Sequence, residues 1–351
     1  MRIKGGFVPK ITINNQFGDA FEAPQKVTSE EKIEKLKKAK RVETPVIEVP
    51  ISPVGPKNVL FLYPATEENN RLDLYLNNLF DRDSVGVAKT FQEVADQMSA
   101  YDVLHIQYDE ELYNDKELVQ LMEALKGKYN INIFITLNTL TSEKTQFYQY
   151  LSRICHVVVN NSIPARFNQN INFIEPGCVA VDVPFQSEKN DKIATFGFST
   201  PIKNTESLGM IAKELDTEVD VYSPNEYMGS YSGVNIINEF IPMDELLEKL
   251  SQYRLLLFLR RNSSYLSASH SVRLALNCRV PIICQSSPYF SDLAHVVKVA
   301  DYEDIPRTIH SLFSDESQYH EMIAKQEDFL AQHTVDEAFQ QHLVLYDRVL
   351  R

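Results

Sequence analysis

Apolar positions along this chain recur with two periods, and the alternation between those periods marks its elements. From Lys57 onward, short apolar runs rich in β-branched residues are "NVLFLYPA", "SVGVAKT", "DVLHIQYD", "INIFITLNTL" and "CHVVVNN". Between them lie "RLDLYLNNLF", "TFQEVADQMS", "DKELVQLMEALKGKY" and "SEKTQFYQYLSRI", whose apolar residues return at helical spacing. A second series begins near Asp191. Its strands are "KIATFGF", "EVDVYSP", "VNIINEFI", "RLLLFLR" and "VPIICQS", and its helices are "NTESLGMIAKEL", "MDELLEKLSQY" and "SHSVRLALN". The chain ends on two helical stretches, "ESQYHEMIAKQEDFLAQH" and "VDEAFQQHLVLYDRVL". Buried strands alternating with amphipathic helices predict βαβ units around parallel sheets covered on both faces. Two such series predict two Rossmann-like domains facing each other across a cleft. Ligands of such sheets bind outside the carboxyl ends of the strands. The loops to inspect are those after "HIQY", "ITLN", "ATFG" and "LFLRR".

Residues 1–57 read differently. "FVPKITINNQFGDAF" alternates like a strand, and "TSEEKIEKLKKAKR" reads as a short charged helix with Thr28 and Glu31 placed as a capping box. "VETPVIEVPISPVGPK" carries four prolines and reads as an extended linker. This extension is either a flexible tail or an arm that docks on a protein partner or on its own chain.

Composition narrows the classes. The 351 residues are 44% hydrophobic, enough to fill two domain cores. No apolar run approaches the ~20 residues of a membrane helix, and no secretory signal precedes the first strand. The four cysteines, Cys155, Cys178, Cys278 and Cys284, form no CxxC pair and read as buried thiols of a reducing compartment, hence a cytoplasmic protein. The eight histidines show no zinc spacing, and no metal is expected. The net charge of −13 disfavours nucleic acid as a partner without excluding it. His105, flanked by Leu104 and Ile106, reads as a core histidine, and Asp109, Glu110 and Glu111 as an acidic loop at the cleft.

Six segments in order resemble one family. "DVLHIQYDEELY", "IFITLNTL", "INFIEPGCVAVD", "KIATFGFSTPIKNTESL", "INEFIPMDELLEKLSQYRLLLFL" and "SVRLALNCRVPIICQSSPYFSDL" resemble, in order and spacing over about residues 57–350, the retaining GT-B glycosyltransferases often called family 4. The resemblance implies the α/β GT-B fold with this N-terminal extension. It sets an acceptor-side domain at 58–186, a donor-side domain at 187–334, and a terminal helix at 335–351 that crosses back to the first domain. It implies transfer of a sugar from a nucleotide-sugar co-substrate, without a further cofactor, to a glycan, protein or modified base; no metal is expected, because no DxD-like acidic pair stands in a plausible donor loop and basic groups can neutralise the diphosphate. A departing diphosphate gains negative charge and needs fixed donors and cations. The resemblance offers Lys203 after the "ATFGF" strand, Gly197, and Ser267 and Ser269 ahead of the next helix, whose N–H groups favour anions. Arg260 and Arg261 end the preceding strand and add charge. Asn138 stands where the family has a histidine beside the donor sugar. Against these stand a surface lysine, plain helix capping and surface ion pairing.

The chain also departs from the family. Phe198 replaces an arginine, Leu266 and Leu274 replace two glutamates that hold the donor sugar and ribose, and Arg279 replaces a glycine. A leucine accepts no hydrogen bond, and each buried bond left unmade costs about 1–3 kcal/mol. Two outcomes follow: a transferase with a diverged donor site, or an inactive GT-B module that binds a glycan, pairs with an active subunit, or serves in assembly.

Overall fold

The computed structural model describes residues 58–64, 71–110, 112–129, 131–167, 170–186, 188–197, 204, 206–224, 230–261 and 266–351. The N-terminal extension, Glu111, Phe198 and Lys203 lie outside the described residues.

The first lobe runs β1 (Val59–Leu62), α1 (Arg71–Phe80), β2 (Val85–Ala88), α2 (Phe91–Gln97), β3 (Val103–Tyr108), α3 (Asp115–Tyr129), β4 (Asn132–Leu137), β5 (Thr139–Leu140), α4 (Thr145–Ile154), β6 (His156–Val159), α5 (Ser162–Phe167) and β7 (Ile171–Phe173). Its six-stranded parallel sheet has the order β2-β1-β3-β4-β6-β7. The second lobe runs β8 (Asn190–Phe196), α6 (Glu206–Leu215), β9 (Val219–Ser223), β10 (Val234–Asn238), α7 (Met243–Leu250), β11 (Tyr253–Phe258), β12 (Leu266–Ser267), α8 (His270–Ala275), β13 (Ile282–Gln285), β14 (Lys298–Ala300), α9 (Ile305–Ser314), α10 (Glu316–Gln332) and α11 (Val335–Leu350). Its sheet, also parallel and six-stranded, has the order β10-β9-β8-β11-β13-β14.

Burial follows this topology. β1 and β3 are buried at every position because helices cover both faces. The edge strands β2 and β10 are mostly half-exposed. Thr90 caps α2 and Asp315 caps α10, each accepting a hydrogen bond from the N–H three residues on. All four cysteines are buried and unpaired.

The chain order reverses once in each sheet, between β1 and β3 and between β8 and β11. A crevice opens at the carboxyl ends of the strands at such a reversal. The lobes belong to one compact unit spanning Val54–Arg351. α11 returns to the first lobe. Its Tyr346, fully buried, hydrogen-bonds the His105 ring and packs edge-on against Phe134 at 4.7 Å. Asp336 pairs with Arg82 at 2.6 Å, and Arg348 donates to Asn172 at 2.6 Å. His105 is a core residue, its second nitrogen bonded to Thr136 at 2.7 Å. The inter-lobe linker is pinned where Cys178 N–H donates to the His333 carbonyl at 2.6 Å. A Cβ at Gly177 would come within 2.3 Å of the Thr334 carbonyl oxygen, so only glycine allows this approach.

Candidate functional site

The reversal between β8 and β11 holds a pocket of about 570 Å³, its open mouth included. Thr195, Phe196 and Gly197 reach it from the end of β8, and Phe258, Leu259 and Arg260 from the end of β11. Ser269 and Ser271 come from the start of α8, and Tyr289 and Phe290 from the turn after β13. Each strand delivers its last residues there because a parallel sheet aligns all carboxyl ends on one side. Gly197 turns the chain out of β8 with φ +129, a conformation L side chains avoid, while its N–H stays bonded to the Tyr222 carbonyl at 2.9 Å. The lining is aromatic and aliphatic with few polar groups, the usual make-up of a small-molecule site.

Arg260 supplies the cation. Its guanidinium lies 3.6 Å from the centroid of the Tyr289 ring, and the Arg260 backbone N–H donates to Gln285 Oε1 at 3.1 Å. A guanidinium stacked on an aromatic face is a favourable cation–π arrangement, and it sets a positive charge at the pocket wall. Ser269 is the N-cap of α8, accepting from Val272 N–H at 3.3 Å.

The expected site residues divide into three groups. Gly197, Arg260 and Ser269 meet in this pocket. Arg261 lies on the exposed side, paired with Glu206 at 3.2 Å and bonded to Asn204 at 3.2 Å. Asn138 and Ser267 sit together between the lobes: Ser267 Oγ donates to the Asn138 carbonyl at 2.6 Å, and Ser267 pairs with Thr139 in the antiparallel β5–β12 ribbon. The Asn138 side chain, 4% exposed, donates to Gln107 Oε1 at 3.3 Å and accepts from Asn160 at 2.9 Å. Leu266 pairs with Leu140 in the ribbon and Leu274 is core, so both leucines serve packing. Arg279 has φ +51, the left-handed conformation a glycine would adopt without strain, and its guanidinium pairs with Glu327 at 3.0 Å.

Sequence reasoning did not find Tyr289, Asn161 or Arg273. Arg273, 2% exposed, donates from Nε to the Pro176 carbonyl at 3.0 Å and pairs with Asp292 at 2.7 Å and Glu175 at 3.4 Å. It ties α8 to the inter-lobe linker and to the turn that carries Tyr289. Burial pushes the neighbouring Cys178 thiol up to about 12, so it stays protonated. Burial, and then the Arg273 charge, push His270 down to about 3, leaving a neutral imidazole at the start of α8. The His270 ring packs 4.9 Å from that of Tyr75 on α1, a first-lobe contact beside the pocket helix.

No protein-family model matches the chain, and no curated protein matches it in sequence. Solved structures do match. The HepE protein of Anabaena, determined in complex with UDP, superposes with a TM-score of 0.63 at 11% identity, covering 83% of this chain and 100% of its own. The trehalose-6-phosphate protein of E. coli, bound with UDP-2-fluoro glucose, gives 0.60 at 7% identity, covering 82% and 98%. AviGT4, a glycosyltransferase involved in avilamycin A biosynthesis, gives 0.58 at 11% identity, covering 84% and 98%. At such identities the likeness is one of architecture, and together with the two six-stranded parallel sheets it establishes that this chain has the GT-B fold.

Proposed function

We propose that the chain binds a nucleotide-sugar in the second-lobe pocket and transfers its sugar to an acceptor presented by the first lobe. The observation that carries this reading is the placement of Arg260, Ser269 and Ser271 around one pocket at the reversal of the second sheet. A diphosphate leaving group gains charge as the glycosidic bond breaks, and a fixed cation with hydroxyl and amide donors favours that change. Arg260 is the cation in this proposal, with Lys203 joining it from the stretch that follows β8. These cations neutralise the diphosphate without a metal, so transfer proceeds in the presence of a chelator. Phe196, Phe258, Tyr289 and Phe290 offer apolar surface to a nucleobase. Structures of the same fold hold UDP and a UDP-sugar analogue, which supports a nucleotide as the ligand class.

A second reading, a binding module without transfer, has its own support. Asn138, placed by resemblance beside the donor sugar, has its carbonyl bonded to Ser267 and its amide bonded within the first lobe. One experiment separates the two. Thermal unfolding is followed against UDP-, GDP- and ADP-sugars, and release of the nucleoside diphosphate is assayed in the same samples. A ligand that binds only the folded state raises its apparent stability. A selective rise with diphosphate release supports the transferase, whereas a rise without release, or no rise with any compound, contradicts it and supports the module.

A further inference from the structure

The carboxyl ends of β3, β4 and β6 carry a row of buried amides. Gln107 accepts from Asn138, Asn138 accepts from Asn160, and the residue after Asn160 reaches across to the other lobe. Asn161 is 1% exposed. Its Oδ1 accepts from Ile163 N–H at 3.0 Å, which fixes the amide so that its nitrogen points away from its own helix. The two hydrogens on Nδ2 then go to the Ser267 carbonyl at 3.4 Å and the Pro288 carbonyl at 3.3 Å. Both acceptors belong to the second lobe. Ser267 stands two residues before Ser269, and Pro288 directly before Tyr289. Those are the residues that form two walls of the pocket.

We propose that Asn161 is a positioning residue that sets the pocket from the opposite lobe. Its single amide fixes the distance between the approach to α8 and the turn bearing Tyr289, and Tyr289 in turn carries the Arg260 guanidinium. The pocket therefore takes its binding shape only while the lobes are joined. A buried amide whose two hydrogens are met only by second-lobe carbonyls favours one lobe arrangement over others. By linkage, a ligand that needs this shape strengthens the contact between lobes as much as the contact strengthens the ligand. The inference rests on the nucleotide reading of the pocket for its consequence, though not for the tether itself.

The test compares Asn161→Ala with Asn160→Ala, a neighbouring buried amide whose bond to Asn138 stays within the first lobe. Amide hydrogen exchange on the full, ligand-free chain reads the tether. Calorimetric titration with UDP, GDP and ADP reads the pocket. Asn161→Ala is expected to raise exchange at least tenfold both in 266–269 and at Tyr289 and Phe290, and to weaken the best-bound nucleoside diphosphate at least tenfold. Asn160→Ala is expected to leave both within threefold, whatever its melting temperature. Asn161→Asp keeps the acceptor for Ile163 and loses both donors, so it is expected to behave as Asn161→Ala does. Unchanged exchange in the Asn161 variants would overturn the tether. Raised exchange with unchanged affinity would overturn the positioning role. A wild-type chain that binds no nucleoside diphosphate would defeat the nucleotide reading and the positioning role together, while exchange would still decide the tether.

Discussion

The two lobes each build a six-stranded parallel sheet with one reversal of chain order, and they put opposite chemistry at their strand ends. In the first lobe, Gln107, Asn138, Asn160 and Asn161 are buried and satisfy one another or bond across to the second lobe. In the second, the equivalent edge opens into a pocket with one stacked guanidinium, two serines and four aromatic rings. A parallel sheet guarantees a crevice at its reversal, and the residues at the strand ends decide whether that crevice holds a ligand or a neighbouring lobe. In the function proposed above, one lobe serves mainly as a brace and the other as the receptor.

The largest effect should come from breaking the joint between the two. Arg273→Ala leaves Asp292, whose side chain is 3% exposed, with an unpaired charge, and should cost about 3–5 kcal/mol in a urea or thermal unfolding experiment. Because Arg273 also holds Pro176 and Glu175, nucleotide binding should weaken with it. A loss below 1 kcal/mol would mean that the second lobe does not depend on this pair.

Acid should attack the brace from the other side. His342 is buried, with its Nδ1–H donating to the Ala338 carbonyl at 2.8 Å, and burial pushes it down to about 4. Burial, and then His342, hold His105 well below the usual histidine range. Both fold neutral, so the unfolded chain binds more protons below its histidine pKa of about 6.5. Their contribution is whole above that value and falls as pH drops from there toward about 4, a loss on the order of 3 kcal/mol for His342 alone. Melting temperature measured from pH 8 to 4 should fall over this window, and His342→Gln should flatten the fall. A pH-independent curve would contradict the assignment.

Smaller changes sharpen the comparison. Ser267→Ala removes the bond to the Asn138 carbonyl and should cost about 1 kcal/mol of stability. It should leave Asn138 buried, which a crystal structure would check. Arg279→Gly relieves a left-handed backbone worth about 1–2 kcal/mol, offset by the greater freedom of glycine in the unfolded chain and by the lost pair with Glu327. The net change in denaturant midpoint should correspond to less than about 1 kcal/mol, in the stabilising direction.

Much of the architecture was legible because it rests on period. "DVLHIQYD" and "RLLLFLR" read as buried strands, and β3 and β11 are buried at nearly every position. The break after "ATFG" was legible because Gly197 leaves β8 with a positive φ. The site was legible only in part. Arg260 and Ser269 stand at strand and helix ends, where local sequence points. Asn161 and Tyr289 matter through partners more than 100 positions away or through a turn that no period marks. Arg273 lies within an apolar helical stretch, where pattern alone gives no reason for a charge, and its partners Glu175 and Asp292 come from two other segments. Ser267 was read with Ser269 as part of a helix start, but a two-residue strand paired across the lobes has no sequence signature of its own.

The measurement that tests the central claim most directly is calorimetric titration of UDP, GDP and ADP into the wild-type chain and into Arg260→Ala and Asn138→Ala. The account predicts that one nucleoside diphosphate binds the wild type, that Arg260→Ala weakens it at least tenfold, and that Asn138→Ala stays within threefold. Binding that survives Arg260→Ala and is lost with Asn138→Ala would place the ligand in the first lobe and contradict the account.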